Sequence, residues 1–349
     1  MAERERIVVV CPGRGTYNPP ELGYLARHHA GNSLLARFDA IREQGGKQAL
    51  TALDAAPKFT AAHLKGDVAA PLIHACAYLD FLALDRDRFE IVAVTGNSMG
   101  WYTALACAGA VDAEAGFRIA DAMGVNSQAH DEGGQSVLVL ADDDWRVDPS
   151  LEAQVAALMQ AHGVLPSIRL GGMLVVAGPF AALAAFEAAL PVLSRPPMRL
   201  PGHGPFHTPL MHPSAAAARA SLPQDWFGQP QIPLIDGRGA IWRRAATDPA
   251  ALWDYTFGHQ ILQPYDFTTA ITVALREFAP DRLVLLGPGE TLGGAIGQVL
   301  VRNKWLDISS RSRFSARQGE DPFLIGVGRP GQRGIAIPCD TTSENSATS

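Results

Sequence analysis

Short apolar runs alternate with stretches of helical periodicity over the first third of the chain. The run Ile7 to Cys11 is rich in β-branched residues and ends at Pro12-Gly13-Arg14-Gly15, which predicts a strand buried on both faces. Apolar residues then recur at helical spacing from Asp67 to Leu84, a second strand covers Ile91 to Thr95, and an Ala-rich helix covers Met99 to Ala110. This order is typical of an α/β fold with a parallel sheet.

The middle of the chain has shorter elements in a different order. Strands are predicted at Gln135 to Leu140 and Met173 to Ala177, and helices at Ala153 to His162 and Phe180 to Leu190. The pattern indicates a small α+β unit inserted into the larger sheet. A further strand, Arg282 to Leu286, follows much later and ends at a Gly-Pro-Gly turn.

These elements suggest three parts of the chain. Residues 1–130 and 200–312 are predicted to form a large α/β core, and residues 131–199 a small subdomain. Residues 313–349 are rich in Gly, Pro and Ser and are predicted to be a C-terminal extension whose last residues are disordered.

Composition excludes several classes of protein. The net charge of −6 and the absence of a dense Lys/Arg run argue against a nucleic-acid partner. The charged N-terminus is followed by an apolar stretch of only five residues, which is too short for a membrane span or for the core of a secretion signal. We therefore expect a cytoplasmic protein without membrane contact. The cysteines have no CxxC spacing, so we expect reduced core thiols and no metal site; they are Cys11, Cys76, Cys107 and Cys339.

The pentapeptide Gly96-Asn97-Ser98-Met99-Gly100 carries the strongest chemical signal. A Gly-x-Ser-x-Gly between a strand and a helix predicts a sharp turn that leaves the serine exposed at a helix N-terminus. There, a backbone N–H and the helix dipole can stabilise an oxyanion. Ser98 is therefore predicted to be a covalent nucleophile.

A serine nucleophile needs a base, and histidine is the usual one. Three of the ten histidines, His203, His207 and His212, lie close together in one segment. His74, on an apolar helix, is predicted to be a core residue. Five further histidines are predicted to lie at the surface: His28, His29, His63, His130 and His162.

Four segments, in order along the chain, resemble motifs of the malonyl-CoA:acyl-carrier-protein transacylase family and of the acyltransferase domains of polyketide synthases. Gly204 to Met211 resembles the family's histidine motif, and Gly96 to Leu105 resembles Gly-His-Ser-x-Gly-Glu-Tyr-x-Ala-Leu. Cys11 to Gly15 is similar to Phe-Pro-Gly-Gln-Gly, and Leu286 to Gly289 to Leu-Gly-Pro-Gly. The resemblance implies an α/β-hydrolase-like core with a ferredoxin-like insert.

The resemblance also implies a ping-pong acyl transfer in fatty acid or polyketide synthesis, with no bound cofactor. Ser98 attacks an acyl-CoA thioester with His207 as base, and the phosphopantetheine thiol of an acyl carrier protein then takes the acyl group. The backbone N–H groups of Met99 and Arg14 are implied as the oxyanion hole. The backbone carbonyl of Gln260 is implied as the group that orients the histidine.

One position departs from the family in a way that bears on the substrate. Counting without gaps from Ser98, Met123 stands where malonyl-specific members carry an arginine that pairs with the malonate carboxylate. A methionine offers a carboxylate only an apolar wall. This difference argues for a neutral or atypical acyl group.

Other predicted pocket residues differ too. Asn97 replaces a histidine, Arg14 a glutamine and Arg169 an asparagine. Either arginine reaches an acyl carboxylate from a new direction, or they are surface or CoA-phosphate contacts. Phe206 is of the type found in malonyl-type polyketide domains and would hinder an α-methyl branch.

Three functions remain open at this point. The leading one is an acyl-CoA:acyl-carrier-protein S-acyltransferase, and the second is a hydrolase of acyl-carrier-protein thioesters on the same fold. A docking subunit without chemistry is the third, and the presence of both Ser98 and His207 argues against it.

Overall fold

The computed structural model describes residues 3–128 and 133–338, and its strands fall into two sheets. In chain order the strands are β1 (Glu5–Cys11), β2 (Phe89–Gly96), β3 (Gly133–Val139), β4 (Leu165–Leu170), β5 (Met173–Pro179), β6 (Met198–Arg199), β7 (Leu234–Ile235), β8 (Ile241–Trp242), β9 (Tyr265–Asp266), β10 (Arg282–Leu285) and β11 (Leu324–Gly326).

Helices surround both sheets. They are α1 (Tyr24–His28), α2 (Ser33–Gln44), α3 (Leu50–Asp54), α4 (Gly66–Ala83), α5 (Gly100–Cys107), α6 (Ala113–Asn126), α7 (Pro149–His162), α8 (Phe180–Ala189), α9 (His212–Ser221), α10 (Pro249–Phe257), α11 (His259–Leu262), α12 (Phe267–Phe278), α13 (Gly293–Asn303), α14 (Arg311–Glu320) and α15 (Pro330–Ala336). Each strand and helix predicted from the hydrophobic pattern is present within a few residues of its expected bounds.

The larger sheet has the order β11-β10-β1-β2-β7-β8, and its strands run parallel except β8, which is antiparallel to β7. The segment Ile7 to Cys11 of β1 has no exposed side chain, because strands lie on both sides of it and helices cover both faces. The predicted α/β class is confirmed. Cys11 is paired with Gly96, so the loops that follow β1 and β2 leave the sheet side by side.

The smaller sheet has the order β6-β3-β5-β4-β9. Within the unit β3-α7-β4-β5-α8-β6, the spatial order of strands is fourth, first, third, second, with antiparallel neighbours, as in a ferredoxin-like fold. α7 and α8 pack on it through a separate apolar cluster that includes Val155, Val176 and Phe186. β9 comes from the later part of the chain and pairs in parallel with β4. The boundaries at residues 131 and 199 remain a prediction.

The C-terminal part contains a strand that the sequence analysis missed. β11 pairs in parallel with β10 and forms one edge of the larger sheet, so the core does not end at residue 312. Arg333 of α15 lies 2.8 Å from the buried carboxylate of Asp80 on α4, which holds this segment to the core. The strand has only three residues between turns, too few to show periodicity. The last residues, predicted to be disordered, lie outside the described residues.

Two histidines predicted at the surface are buried. His29 Nε2 lies 2.9 Å from Asp80, and His63 Nε2 donates to the Leu53 carbonyl at 3.2 Å. Their partners, Asp80 and Leu53, lie in other helices, so the local pattern around each histidine could not reveal the burial. His74 is fully buried, as predicted. His130 lies outside the described residues, as does Cys339; the cysteines Cys11, Cys76 and Cys107 are buried and free.

Candidate active site

Ser98 sits on a strained turn between β2 and α5. Its φ of 54° is in the left-handed region, which costs energy for a residue with a side chain. The flanking glycines allow the turn: a Cβ at Gly96 would lie 2.4 Å from the backbone of Gly100, and one at Gly100 would lie 2.3 Å from the Cys11 carbonyl oxygen. The turn therefore requires glycine at both positions and lifts the serine hydroxyl out of the chain path.

His207 lies beside the serine. Its Nε2 is 2.7 Å from Ser98 Oγ, and its Nδ1 is 2.7 Å from the backbone carbonyl oxygen of Gln260. Because a carbonyl oxygen only accepts, the proton must be on Nδ1, and Nε2 is left as an acceptor for the serine hydroxyl. A φ of 57° at His207 gives the base the same unusual backbone conformation as the nucleophile.

Burial sets the charge of this histidine. The imidazole of His207 is 4% exposed, and burial lowers its pKa to about 4, while the hydrogen bond to Gln260 acts in the opposite direction. His207 is therefore neutral near pH 7. A neutral imidazole with a free Nε2 lone pair is the form that can accept a proton.

Side chains that the sequence analysis did not single out brace the serine turn. The amide of Gln260 donates to the Ser98 carbonyl at 3.1 Å and accepts from the Tyr102 hydroxyl at 3.1 Å. Tyr265 donates its hydroxyl to the Gly96 carbonyl at 2.6 Å, and its ring centre lies 5.5 Å from that of His207. The three hydrogen bonds join residues more than 150 positions apart, so no sequence spacing marks them.

The small sheet holds the loop that carries the base. Ser167 of β4 donates to the carbonyl of Phe206 at 2.8 Å and accepts from the Gln135 amide at 2.6 Å. Gln135 Oε1 in turn lies 2.8 Å from His203 Nδ1. His203 therefore contacts Gln135 in this hydrogen-bonded chain, and the histidine that contacts Ser98 is His207. The position of His207 depends on both sheets.

A cavity of about 60 Å³, here called the Ser98 cavity, opens beside the serine. Seven of the predicted site residues lie together around it, while Asn97 and Arg169 do not. Asn97 packs its side chain against Gly13, and Arg169 lines a separate groove of about 820 Å³ between α7 and α12. The lining of the Ser98 cavity consists of Arg14, Ser98, Met99, Tyr102, Met123, Ser127, Phe206, His207, Met211, Ser214, Gln260 and Ile261.

No family model matches the chain. In sequence, it is 25% identical over 214 residues to the malonyl CoA-acyl carrier protein transacylases of Salmonella typhimurium and Escherichia coli K12. Each match covers 59% of this chain and 65% of the relative, which is less than two thirds of the relatives' own length.

Solved structures match over almost the whole chain. The malonyl-CoA:ACP transacylase of Synechocystis sp. PCC 6803 superposes with a TM-score of 0.73 at 15% identity, covering 95% of this chain and 99% of that one. The chain has the malonyl-CoA:acyl-carrier-protein transacylase fold. The family resemblance stated from the sequence is confirmed by the named sequence relatives and by this shared fold. The transacylase of Mycobacterium tuberculosis gives 0.72 at 22% identity, covering 94% and 98%. A type II PKS acyl-carrier protein complexed with its malonyl-transacylase gives 0.68 at 22% identity, covering 85% and 93%.

Part of the wall of the Ser98 cavity is apolar. Met123 of α6 is 6% exposed and lines the cavity together with Met211, Phe206 and Ile261.

Within the described ranges no helix is long and apolar enough to cross a membrane. The same residues include no group of three or more His, Cys, Asp or Glu that could hold a metal ion.

Proposed function

We propose that the chain is an acyl-CoA:acyl-carrier-protein S-acyltransferase that works through an acyl-Ser98 intermediate. The observation that carries the proposal is the line of two 2.7 Å contacts from Ser98 Oγ through His207 to the Gln260 carbonyl. This arrangement contains a nucleophile, a neutral base and the group that fixes its tautomer. Sequence relatives and fold neighbours named as malonyl-CoA transacylases support the same chemistry.

In the first half-reaction, Nε2 of His207 takes the proton as Ser98 Oγ forms a bond to the thioester carbonyl carbon. The oxyanion accepts hydrogen bonds from the backbone N–H groups of Met99, at the N-terminus of α5, and Arg14. The C–S bond then breaks, and His207 returns the proton to the CoA thiolate. Ser98 is left as an oxygen ester.

The second half-reaction runs the same steps with a different thiol. The phosphopantetheine thiol of an acyl carrier protein gives its proton to His207 and attacks the ester carbonyl carbon, and the proton passes to Ser98 Oγ as it leaves. The chain therefore needs acyl-CoA and carrier protein as substrates and no resident cofactor. We place this reaction in fatty acid or polyketide synthesis, because the relatives are named malonyl CoA-acyl carrier protein transacylases and one fold neighbour is a type II PKS malonyl-transacylase. A cytoplasmic location is part of the same proposal.

Mass spectrometry tests the proposal. Purified protein is incubated with acyl-CoA thioesters and then with phosphopantetheinylated carrier protein, and adducts on both proteins and free acid are followed. A transferase gives an acyl-Ser98 peptide and then acyl carrier protein, whereas free acid as the main product would favour the hydrolase. Ser98→Ala should give no adduct and should lower turnover by about 10³-fold or more. Full turnover by this variant would overturn the assignment.

A further inference from the structure

The guanidinium group of Arg14 is fixed beside the Ser98 cavity. Its Nη2 donates to the carbonyl oxygens of Leu64 at 2.8 Å and Gly202 at 3.1 Å. Its central carbon lies 5.5 Å from the ring centre of Phe206, which also lines the cavity. Three contacts, one from Leu64 and two from the segment that contains Gly202 and Phe206, therefore hold one arginine head beside the cavity.

One nitrogen of this head has no partner. Nη1 of Arg14 is buried and makes no hydrogen bond, and no carboxylate among the described residues forms an ion pair with Arg14. Burial lowers the pKa of Arg14 only to about 10, so the group keeps its positive charge near pH 7. The carboxylate of Asp67 acts on Arg14 from beyond ion-pair distance and raises this pKa. Buried charges in proteins are normally paired directly, and Nη1 has no anion bonded to it.

The cavity limits the size of the missing anion. A water molecule needs roughly 10–15 Å³, so a space of about 60 Å³ holds about four non-hydrogen groups. The CH₂–COO⁻ part of a malonyl group has four non-hydrogen atoms and fills such a space. Arg14 is the only Lys or Arg among the lining residues, and Met123, Met211 and Ile261 offer apolar walls alone.

We propose that Nη1 of Arg14 binds the free carboxylate of a short dicarboxylic acyl group, of malonyl length, carried on Ser98. This inference rests on the proposed acyl-Ser98 chemistry and names its substrate class. Nη1 has no surface open to water in this state, so a neighbouring side chain must shift when the carboxylate binds. Phe206, which is half-buried and lies over the guanidinium, is the nearest candidate. A carboxylate can then be recognised although position 123 is a methionine.

A competition experiment tests this role. The protein is mixed with equal amounts of malonyl-CoA and acetyl-CoA, which differ by the carboxylate, and the ratio of malonyl to acetyl adducts on Ser98 is read by mass spectrometry. The wild type should favour malonyl by about 10-fold or more, and Arg14→Met should lower the ratio by about 100-fold. Because the backbone N–H of residue 14 is retained, a general loss of rate cancels in the ratio. Arg302→Met, an exposed arginine in the Arg169 groove, should leave the ratio unchanged.

Thermal melting shows whether Arg14→Met is folded. If it is not folded, Arg14→Lys is used in its place. It keeps the charge but cannot reproduce the fork of donors, so the ratio should fall by about 10-fold. A wild type that prefers acetyl, or an unchanged ratio in a folded Arg14 variant, would overturn this inference while leaving acyl-Ser98 chemistry intact. Absence of any adduct from either thioester would instead overturn the proposed function on which it rests.

Discussion

At the scale of single residues, the site depends on two strained positions and one buried imidazole. Ser98 and His207 both have positive φ values, and their side chains meet at 2.7 Å. Ser98 could be predicted from the glycines on either side of it between a strand and a helix, and His207 from the resemblance of Gly204 to Met211 to the family's histidine motif. It could not predict the roles of Gln260's side chain or of Tyr265, since these residues contact the turn only through the fold. It also placed Arg169 at the substrate, whereas the structure puts it in another groove.

The charge state of His207 gives a prediction about pH. Its pKa in the folded protein is about 4, below the ordinary value of 6.5, so Nε2 stays a free acceptor down to that pH. The rate constant of Ser98 acylation should therefore be constant from about pH 5 to 8, and should fall about tenfold per unit below pH 4. Quenched-flow loading measures it, with circular dichroism to confirm folding at each pH. A midpoint near 6.5 would contradict the buried, neutral histidine.

The lowered pKa of His207 also determines how this residue affects the stability of the protein as the pH changes. The unfolded chain binds a proton at His207 below about pH 6.5, and the folded chain does so only below about 4. The unfolded state thus binds more protons in this window, so this group makes the protein less stable as the pH falls from 6.5 through 4.

Among the secondary-structure elements, some could be predicted from the local hydrophobic pattern, and others form only by pairing with a distant strand. The pattern predicted β1, β2 and α4 because their apolar residues are consecutive or recur at helical spacing. β9 and β11 have two and three residues, and they exist because β4 and β10 offer free edges to pair with. Such strands have no period of their own, so only the assembled sheets reveal them.

The contact between α5 and β1 makes Gly100 a sensitive position. A Cβ there would lie 2.3 Å from the Cys11 carbonyl oxygen, so Gly100→Ala should push the helix away from the sheet. We expect a loss of about 1–3 kcal/mol in the free energy of unfolding in urea, together with slower Ser98 acylation. Gly294→Ala in α13 is the matched control, because nothing lies within 4 Å of its Cβ position. The control should be neutral or stabilising by up to about 1 kcal/mol; equal effects of the two changes would contradict the account.

At the scale of the whole molecule, the two sheets share one site. The larger sheet supplies the serine turn, and the smaller sheet supports the loop before the base through Ser167. The division into a core and an inserted unit was predictable from the change in element order. The dependence of the base on that inserted unit was not, because Ser167 and Phe206 are 39 residues apart and lie in segments without a shared motif.

This dependence predicts an effect of Ser167→Ala on chemistry. The change removes the hydrogen bond to the Phe206 carbonyl and lets the His207 loop move, so acylation should slow by about 10-fold. The pH profile should keep its shape, because the imidazole stays buried against Gln260. Ser136→Ala on β3 is the control, since its buried hydroxyl has no hydrogen-bond partner, and it should acylate at the wild-type rate. Unchanged acylation in Ser167→Ala would show that the small sheet does not position the base.

The most direct test of the central claim is peptide mass spectrometry of the protein after brief exposure to malonyl-CoA. We expect one acyl group on the peptide that contains Ser98, its loss to the thiol of a phosphopantetheinylated carrier protein, and no adduct in Ser98→Ala. An adduct on another residue, or an acyl group that persists in Ser98→Ala, would contradict it.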